Sequence, residues 1–248
     1  MAAVNCKKAD PKICFDDIIV RHSLFSAMPD TLVDGFIHAA QPITVSKGST
    51  LFMQNDEAEW FYIVTRGWVK LFRETLDGDE AVIDMVTTGH IFGESAIIDD
   101  SIHSFGATAV EECDLLRFPS KMLKAAVAEN HAVALAMLGS MSRHRKQQTR
   151  EIESLNLQNA SQRIGCFLLR LCRVNDIEPI SLQLPYDKSL IAARLGMKSE
   201  TFSRALNKLR NDTSITVKGS NVEIPEIDAL SHYACTACSS EFPCDDLH

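Results

Sequence analysis

A chain of 248 residues, 46% hydrophobic and 23% charged with a formal net charge of −8, has the balance of an ordinary globular protein and length enough for two cores. Its opening, MAAVNCKKADPK, lacks an apolar signal core, and no run of about 18 apolar residues occurs anywhere, so the expectation is a cytoplasmic protein with no membrane partner. In that reducing compartment the eight cysteines read as buried residues, ligands or redox thiols rather than disulfides.

From Pro42 to Pro119, short runs rich in β-branched and aromatic residues (TLFMQ, EWFYIVTRGWVKLFRET, EAVIDMVT, GATAVEECDLLRF) alternate with turn signals at Gly48, Gly67, Asp77-Gly78, Gly89 and Gly93. Short strands at that spacing predict a β jelly-roll, with Asp77-Gly78 closing a hairpin. The pattern turns helical at about Ser120. Leu138, Met141, Arg145, Gln148, Ile152 and Leu155 alternate in steps of three and four, the a/d seam of a coiled coil, which predicts a homodimer. A helix lying on its own β domain is the alternative. The next helix, ASQRIGCFLLRLC, carries Cys166 and Cys172 about 240° apart, which suits core thiols better than a shared site.

The stretch DKSLIAARLGMKSETFSRALNKLR is the most informative in the chain. Asp187 to Leu195 reads as a short helix, Gly196 as a turn needing positive φ, Ser199 as an N-cap, and the second helix as running to about Arg210. Glu200, Ser203 and Arg204 project from one face of that helix. Arg offers two donors to guanine O6/N7, Glu accepts from cytosine N4, and Ser serves either edge, which is the chemistry of major-groove readout. Lys198, Lys208 and Arg210 are placed for phosphate contacts. The bland reading is a solvated helix face, but ITVKGSNVEI follows with the pattern of a wing hairpin. The charge is also local: Asp187 to Lys218 holds seven Lys/Arg against three Asp/Glu, a net +4, and no Lys or Arg follows Lys218.

With GHIFGESAII in the roll, EIESLNLQNASQRI between the helices and SETFSR on the second one, the chain from about Leu24 to Ile227 resembles the CRP/FNR superfamily of bacterial transcription regulators. The Glu-x-x-Ser-Arg pattern looks like the FNR and DNR branches. The resemblance implies double-stranded DNA, a second copy of the chain and RNA polymerase as partners, and a TTGAT-N4-ATCAA type of palindrome read by Glu200, Ser203 and Arg204. It also implies a response to oxygen, redox state or nitrogen oxides. The fold class is then α+β: a 1–23 extension, a 24–128 β-roll effector domain, a 129–158 dimerisation helix, a 159–230 winged helix-turn-helix and a 231–248 acidic, Cys-containing tail. A regulatory subunit whose helix-turn-helix does not read DNA is the alternative. Catalysis has little support: there is no nucleophile–base motif, phosphate loop or metalloprotease signature.

Two effector sites come with the resemblance. In the cyclic-AMP-binding branch, a Gly-Glu pair is followed by an Arg-Ser pair that binds the cyclic phosphate; here Gly93 and Glu94 are followed by His103 and Ser104. Loss of the bidentate guanidinium disfavours cyclic AMP. Haem is implied for some DNR-like proteins, with His22, His38, His90, His103, His131 and His144 as axial candidates. The second site is the tail YACTACSSEFPC, where Cys235, Cys238 and Cys244 stand at C-x2-C-x5-C. That spacing is similar to the ligand trio of FNR, which holds an oxygen-labile [4Fe-4S] cluster, although there the trio is N-terminal. Zinc, a thiol switch and an inert tail are the alternatives. FNR's central cysteine aligns with Leu116, so the fourth ligand is open between Cys6, Cys14 and Asp245.

Overall fold

The computed structural model describes residues 19, 22, 24–75, 77–78, 80–98, 101–172, 178–185, 187–239 and 242–244. The chain divides into two compact units, Met1–Glu80 with Asp84–Ser140, and Ala81–Ile83 with Met141–His248.

The first unit is a roll of two four-stranded sheets. One is ordered β1 (Gln41–Val45), β8 (Cys113–Pro119), β3 (Trp60–Arg66), β6 (Ile91–Phe92), and the other β2 (Thr50–Phe52), β7 (Gly106–Ala109), β4 (Val69–Glu74), β5 (Glu80–Val86). Strand β3 explains the layering. Successive side chains point to opposite faces, so Tyr62 and Val64 enter the core between the sheets while Phe61 and Ile63 enter a second one. That second core is closed by helix α1 (Asp30–Ala39) and helix α2 (Ser120–Glu129) through residues such as Phe36 and Leu123. Strand β8 behaves alike: Cys113 and Leu115 face one core, Leu116 and Phe118 the other. Cys113 is fully buried, its thiol 3.1 Å from the Trp68 carbonyl it donates to, and so is turned away from the face of Leu116.

Helix α3 (His131–Leu157) is a single 27-residue element. Val133 and Met137 are buried in the first unit, whereas the last turns belong to the second.

The second unit is built on α4 (Ala160–Leu171), which starts at a reciprocal capping box between Asn159 and Gln162. Helices α5 (Lys188–Arg194) and α6 (Ser199–Thr213) follow, then a hairpin of β10 (Thr216–Lys218) and β11 (Asn221–Ile224), and α7 (Ile227–Cys235). The hairpin does not stand alone: β9 (Ile180–Gln183) pairs with β11, giving the order β10-β11-β9. Phe202, Leu206 and Leu209 of α6 join Ile164 and Leu168 of α4 and Leu230 of α7 in one core.

Helix α7 crosses the anticipated start of the tail at residue 231. Its Leu230 and Ala234 are fully buried, so the first tail cysteine, Cys235, belongs to a packed helix. Gly165 makes this packing possible, since a Cβ there would stand 3.1 Å from Ala234 Cβ.

Glu151 of α3 ties the unit together. Its Oε1 accepts from Arg170 Nη1 at 3.1 Å and Arg194 Nη2 at 2.5 Å, with all three side chains at most a quarter exposed. Glu151→Ala leaves two guanidiniums without this carboxylate, and should cost about 2 kcal/mol, between the values for exposed and fully buried pairs. Urea unfolding of the two proteins measures this, and superimposable curves would rule out a structural role for the clamp.

Candidate nucleic-acid interface and thiol cluster

Gly196 takes φ +63° in the turn between α5 and α6, as the sequence requires, with Asp187 capping α5 through its carboxylate and the Ser189 N–H at 2.9 Å. At the next helix Lys198, not Ser199, holds the cap position with extended backbone, and Ser199 is the first helical residue. No side chain caps this end, so its N–H groups stay available to an anion. The helix also continues past Arg210 to Thr213, whose buried hydroxyl donates to the Leu209 carbonyl at 2.7 Å.

Burial along α6 separates two faces. Phe202, Ala205, Leu206 and Leu209 are buried, while Glu200, Ser203, Arg204 and Lys208 are exposed on the opposite side. Ser203 Oγ donates to the Ser199 carbonyl at 3.0 Å, and Arg210 Nη1 donates to Asn207 Oδ1 at 3.3 Å. Among the described residues no hydrogen bond or ion pair engages the side chains of Glu200 or Arg204. An open groove of about 470 Å³ runs beside this face, lined by Asp187, Lys188, Ser199, Ser203 and the wing residue Gly219. Helix start, exposed polar row and wing thus meet at one surface.

The seam positions lie on α3 as one row. Leu138, Met141, Ile152 and Leu155 are 60%, 46%, 62% and 53% exposed, a large apolar display for one helix, and Arg145 and Gln148 between them are exposed too. Leu155 has a second task, because its Cδ2 lies 3.2 Å from where a Cβ on Gly196 would stand.

In the roll, Gly93 at φ +83° opens the short 3-10 turn Glu94–Ile97. A Cβ on Gly93 would stand 3.3 Å from His103 Cε1, so these two predicted site residues are neighbours. His103 is 3% exposed and stacks on Phe52, ring centroids 3.6 Å apart, and its Nδ1 has no hydrogen-bond partner among the described residues. Burial pulls its pKa down to about 4, against a smaller upward pull from Asp56. A neutral, stacked imidazole is a poor partner for a phosphate. Ser104 is exposed, and its carbonyl accepts from Arg73 Nε at 3.0 Å.

Glu94 is half-buried, and burial pushes its carboxyl up to about 7. The unfolded carboxyl ionises near 4.5 whereas the folded one keeps its proton to about 7. Its contribution is therefore intact below pH 4.5 and lost as pH rises towards 7. Glu94→Gln should flatten this fall in the urea midpoint between the two pH values; parallel profiles for both proteins would show that Glu94 does not titrate this way.

Of the other histidines, His38, His90, His131 and His144 are exposed and His22 half-buried, with the Nδ1 atoms of His38 and His90 near the Asp34 and Thr87 carbonyls at 2.7 and 3.0 Å.

Helix α7, which ends at Cys235, sits against α4. Ser161 Oγ lies 2.9 Å from Tyr233 Oη, Gln162 Nε2 donates to Thr236 Oγ1 at 2.9 Å, and the buried Gln158 Nε2 donates to the Ala234 carbonyl at 3.1 Å. The Cys238 N–H closes a turn on the Cys235 carbonyl at 3.1 Å, and Cys244 is 8% exposed. Ser239 gives both its N–H and its hydroxyl to the Glu153 carboxylate, at 2.7 and 2.8 Å. Burial pushes the Cys166 thiol up to about 11; Arg170 draws it down, and the thiols of Cys244, Cys238 and Cys235 push it up. Cys172, by contrast, donates to the Leu168 carbonyl at 3.3 Å inside the core. Among the described residues no three His, Cys, Asp or Glu side chains converge as the ligands of a single ion would. Cys6, Cys14 and Asp245 lie outside the described residues.

The sequence reading took Cys166 and Cys172 as core thiols and did not place α7, for which the spacing of Ile227, Leu230, Tyr233 and Ala234 was the available signal; Cys172 is buried and Cys166 half-buried.

A model of the cyclic nucleotide-binding domain matches residues 42–130, and a model of the Crp-like helix-turn-helix domain matches residues 162–233. The chain is similar to a solved regulatory protein from Silicibacter pomeroyi DSS-3, with 34% identity and a TM-score of 0.68, covering 88% of this chain and 97% of that one. It is 28% identical over 211 residues to the cyclic AMP receptor protein of Thermus thermophilus, covering 85% of this chain and 96% of that protein. With the fumarate and nitrate reduction regulatory protein of Escherichia coli K12 it shares 28% identity over 236 residues, 94% of this chain and 91% of that protein. No helix among the described residues is long and apolar enough to cross a membrane.

Proposed function

Because the chain belongs to the CRP/FNR superfamily of dimeric, DNA-binding transcription regulators, we propose that it reads a TTGAT-N4-ATCAA type of palindrome and responds to oxygen, redox state or nitrogen oxides through the thiols at its C-terminal end. The observation that carries the first half is the solvent-facing row of Glu200, Ser203 and Arg204 beside the wing. Arg204 reaches a guanine edge bidentately, Glu200 accepts from a cytosine amino group, and Ser203 serves the base between. Lys198, Lys208 and Arg210 hold the phosphates and set the register. Two copies joined along α3 present two such rows to half-sites one helical turn apart, with RNA polymerase as the further partner of the bound dimer.

Cyclic AMP gives its name to the Thermus relative, but here His103 offers neither a charge nor a fork to a cyclic phosphate. The tail cysteines are the sensor this reading favours, since Cys235 ends a helix packed in the core of the second unit and the segment after Cys238 is held to α3 by Glu153. An iron–sulfur cluster bound there would supply the sensitivity to oxygen; the chain's part is to hold it and to pass its presence on to α3.

Selection from random duplex DNA, run under argon on iron- and sulfide-loaded protein and again after exposure to air, tests both halves. The expected result is enrichment of the palindrome that air abolishes. Enrichment of a different site would remove the readout assignment, and enrichment indifferent to air would remove the sensor.

A further inference from the structure

We propose that Asn207 of α6 is a fourth base-reading residue, taking an adenine at a base pair adjoining those read by Ser203 and Arg204. The inference rests on major-groove reading by Glu200, Ser203 and Arg204, and adds one position to each half-site.

Helix geometry places the residue. At about 100° of rotation per residue, Asn207 stands about 20° from Glu200, about 40° from Ser203 and about 60° from Arg204, within the face they form. Lys208 lies about 80° to one side of Glu200 and Arg210 about 80° to the other, so the two cations flank it. Asn207 is exposed, and Phe202, Ala205, Leu206 and Leu209 hold the buried face opposite. A helix held in the major groove by phosphate contacts from its flanks turns the middle of its face to the bases. Asn207 follows Glu200 by about 10 Å of helix, which matches about three base-pair steps. The surface continues that far: an open groove of about 190 Å³, lined by Lys188, Ser203, Asn207, Arg210 and Val217 of the wing strand β10, shares Lys188 and Ser203 with the groove at the helix start.

Chemistry selects the base. A carboxamide sets an acceptor beside a donor, the complement of the N6 amino group and N7 of adenine. Guanine presents two acceptors, so the amide oxygen would face O6 with no hydrogen between them. Asn207 Oδ1 accepts from Arg210 Nη1 at 3.3 Å, which orients the amide and leaves a lone pair of Oδ1 for the adenine amino group. Nδ2 then donates to N7. A guanidinium carries further N–H groups, so Arg210 holds a backbone phosphate with those while it steadies the amide. The phosphate contact and the base contact are thus coupled: seating Arg210 on the backbone sets the aim of Asn207.

The test is selection from random duplex DNA by the full chain, under argon and again in air, with wild type and Asn207→Ala side by side. Wild type should enrich an adenine at one position of each half-site beyond those set by Glu200, Ser203 and Arg204. Asn207→Ala should lose that preference, about 5–150-fold per half-site in competition binding, and keep the others. Alanine suits an exposed helical position, so the variant should fold as wild type does. A second measurement needs no variant: 7-deazaadenine at that position removes the N7 acceptor, and should weaken binding by wild type while Asn207→Ala is indifferent to it. An Asn207→Ala that keeps every base preference, whether its binding is unchanged or weaker on all sequences alike, overturns the assignment and leaves reading by Glu200, Ser203 and Arg204 standing. Wild-type binding indifferent to 7-deazaadenine does the same. A wild type that enriches no sequence in either state overturns both.

Discussion

Arg204→Ala should lower the preference for the palindrome over a site with the facing base pair changed by about 1–3 kcal/mol per half-site, roughly 5–150-fold. The side chain is exposed and no bond within the described residues engages it, so folding stability should stay within about 0.5 kcal/mol of wild type. The contrast is Lys208→Ala, which should weaken all sequences alike and shorten the salt dependence by about one charge per protomer. Competition binding at several salt concentrations separates the two signatures. Discrimination that survives in Arg204→Ala would move readout to another residue of α6, Asn207 being the next exposed one along the helix.

Ile152→Glu should dissolve the dimer. Burying an apolar side chain of this size contributes about 1.5–3 kcal/mol, and the two-fold seam loses it twice, so dimer affinity should fall by about 3–6 kcal/mol, on the order of 10² to 10⁴-fold. The like charges now facing one another add to the loss. Within one chain Ile152 is 62% exposed, so the variant should melt close to wild type once both are monomeric. Ile152 is a cleaner probe than Leu155, which also touches the turn at Gly196. Sedimentation equilibrium reads the effect directly. A dimer of unchanged affinity would place the seam on another surface and leave the exposed row of α3 without an explanation.

The parts of the molecule that were legible beforehand are those in which neighbouring residues carry the pattern. Strands such as β3 announce themselves through β-branched and aromatic runs between glycines, and α6 through its four buried apolar residues with a basic opposite face. Strand β9 was missed because ISLQ is short and flanked by Pro179 and Pro185, a setting that reads as loop. Helix α7 was missed because Cys235 at its end reads as part of a C-x2-C-x5-C trio, while the packing is carried by Leu230 and Ala234. Comparing Cys166 with Cys172 on their shared helix separates them, and in the fold Cys172 is buried while Cys166 is half-buried.

One oxygen of Glu151 serves two masters, Arg170 beside the thiols and Arg194 at the end of the first DNA-binding helix. The long helix α3, α4 and α5 are therefore fastened through one atom, so the loss of a single carboxylate loosens three helices of the second unit together.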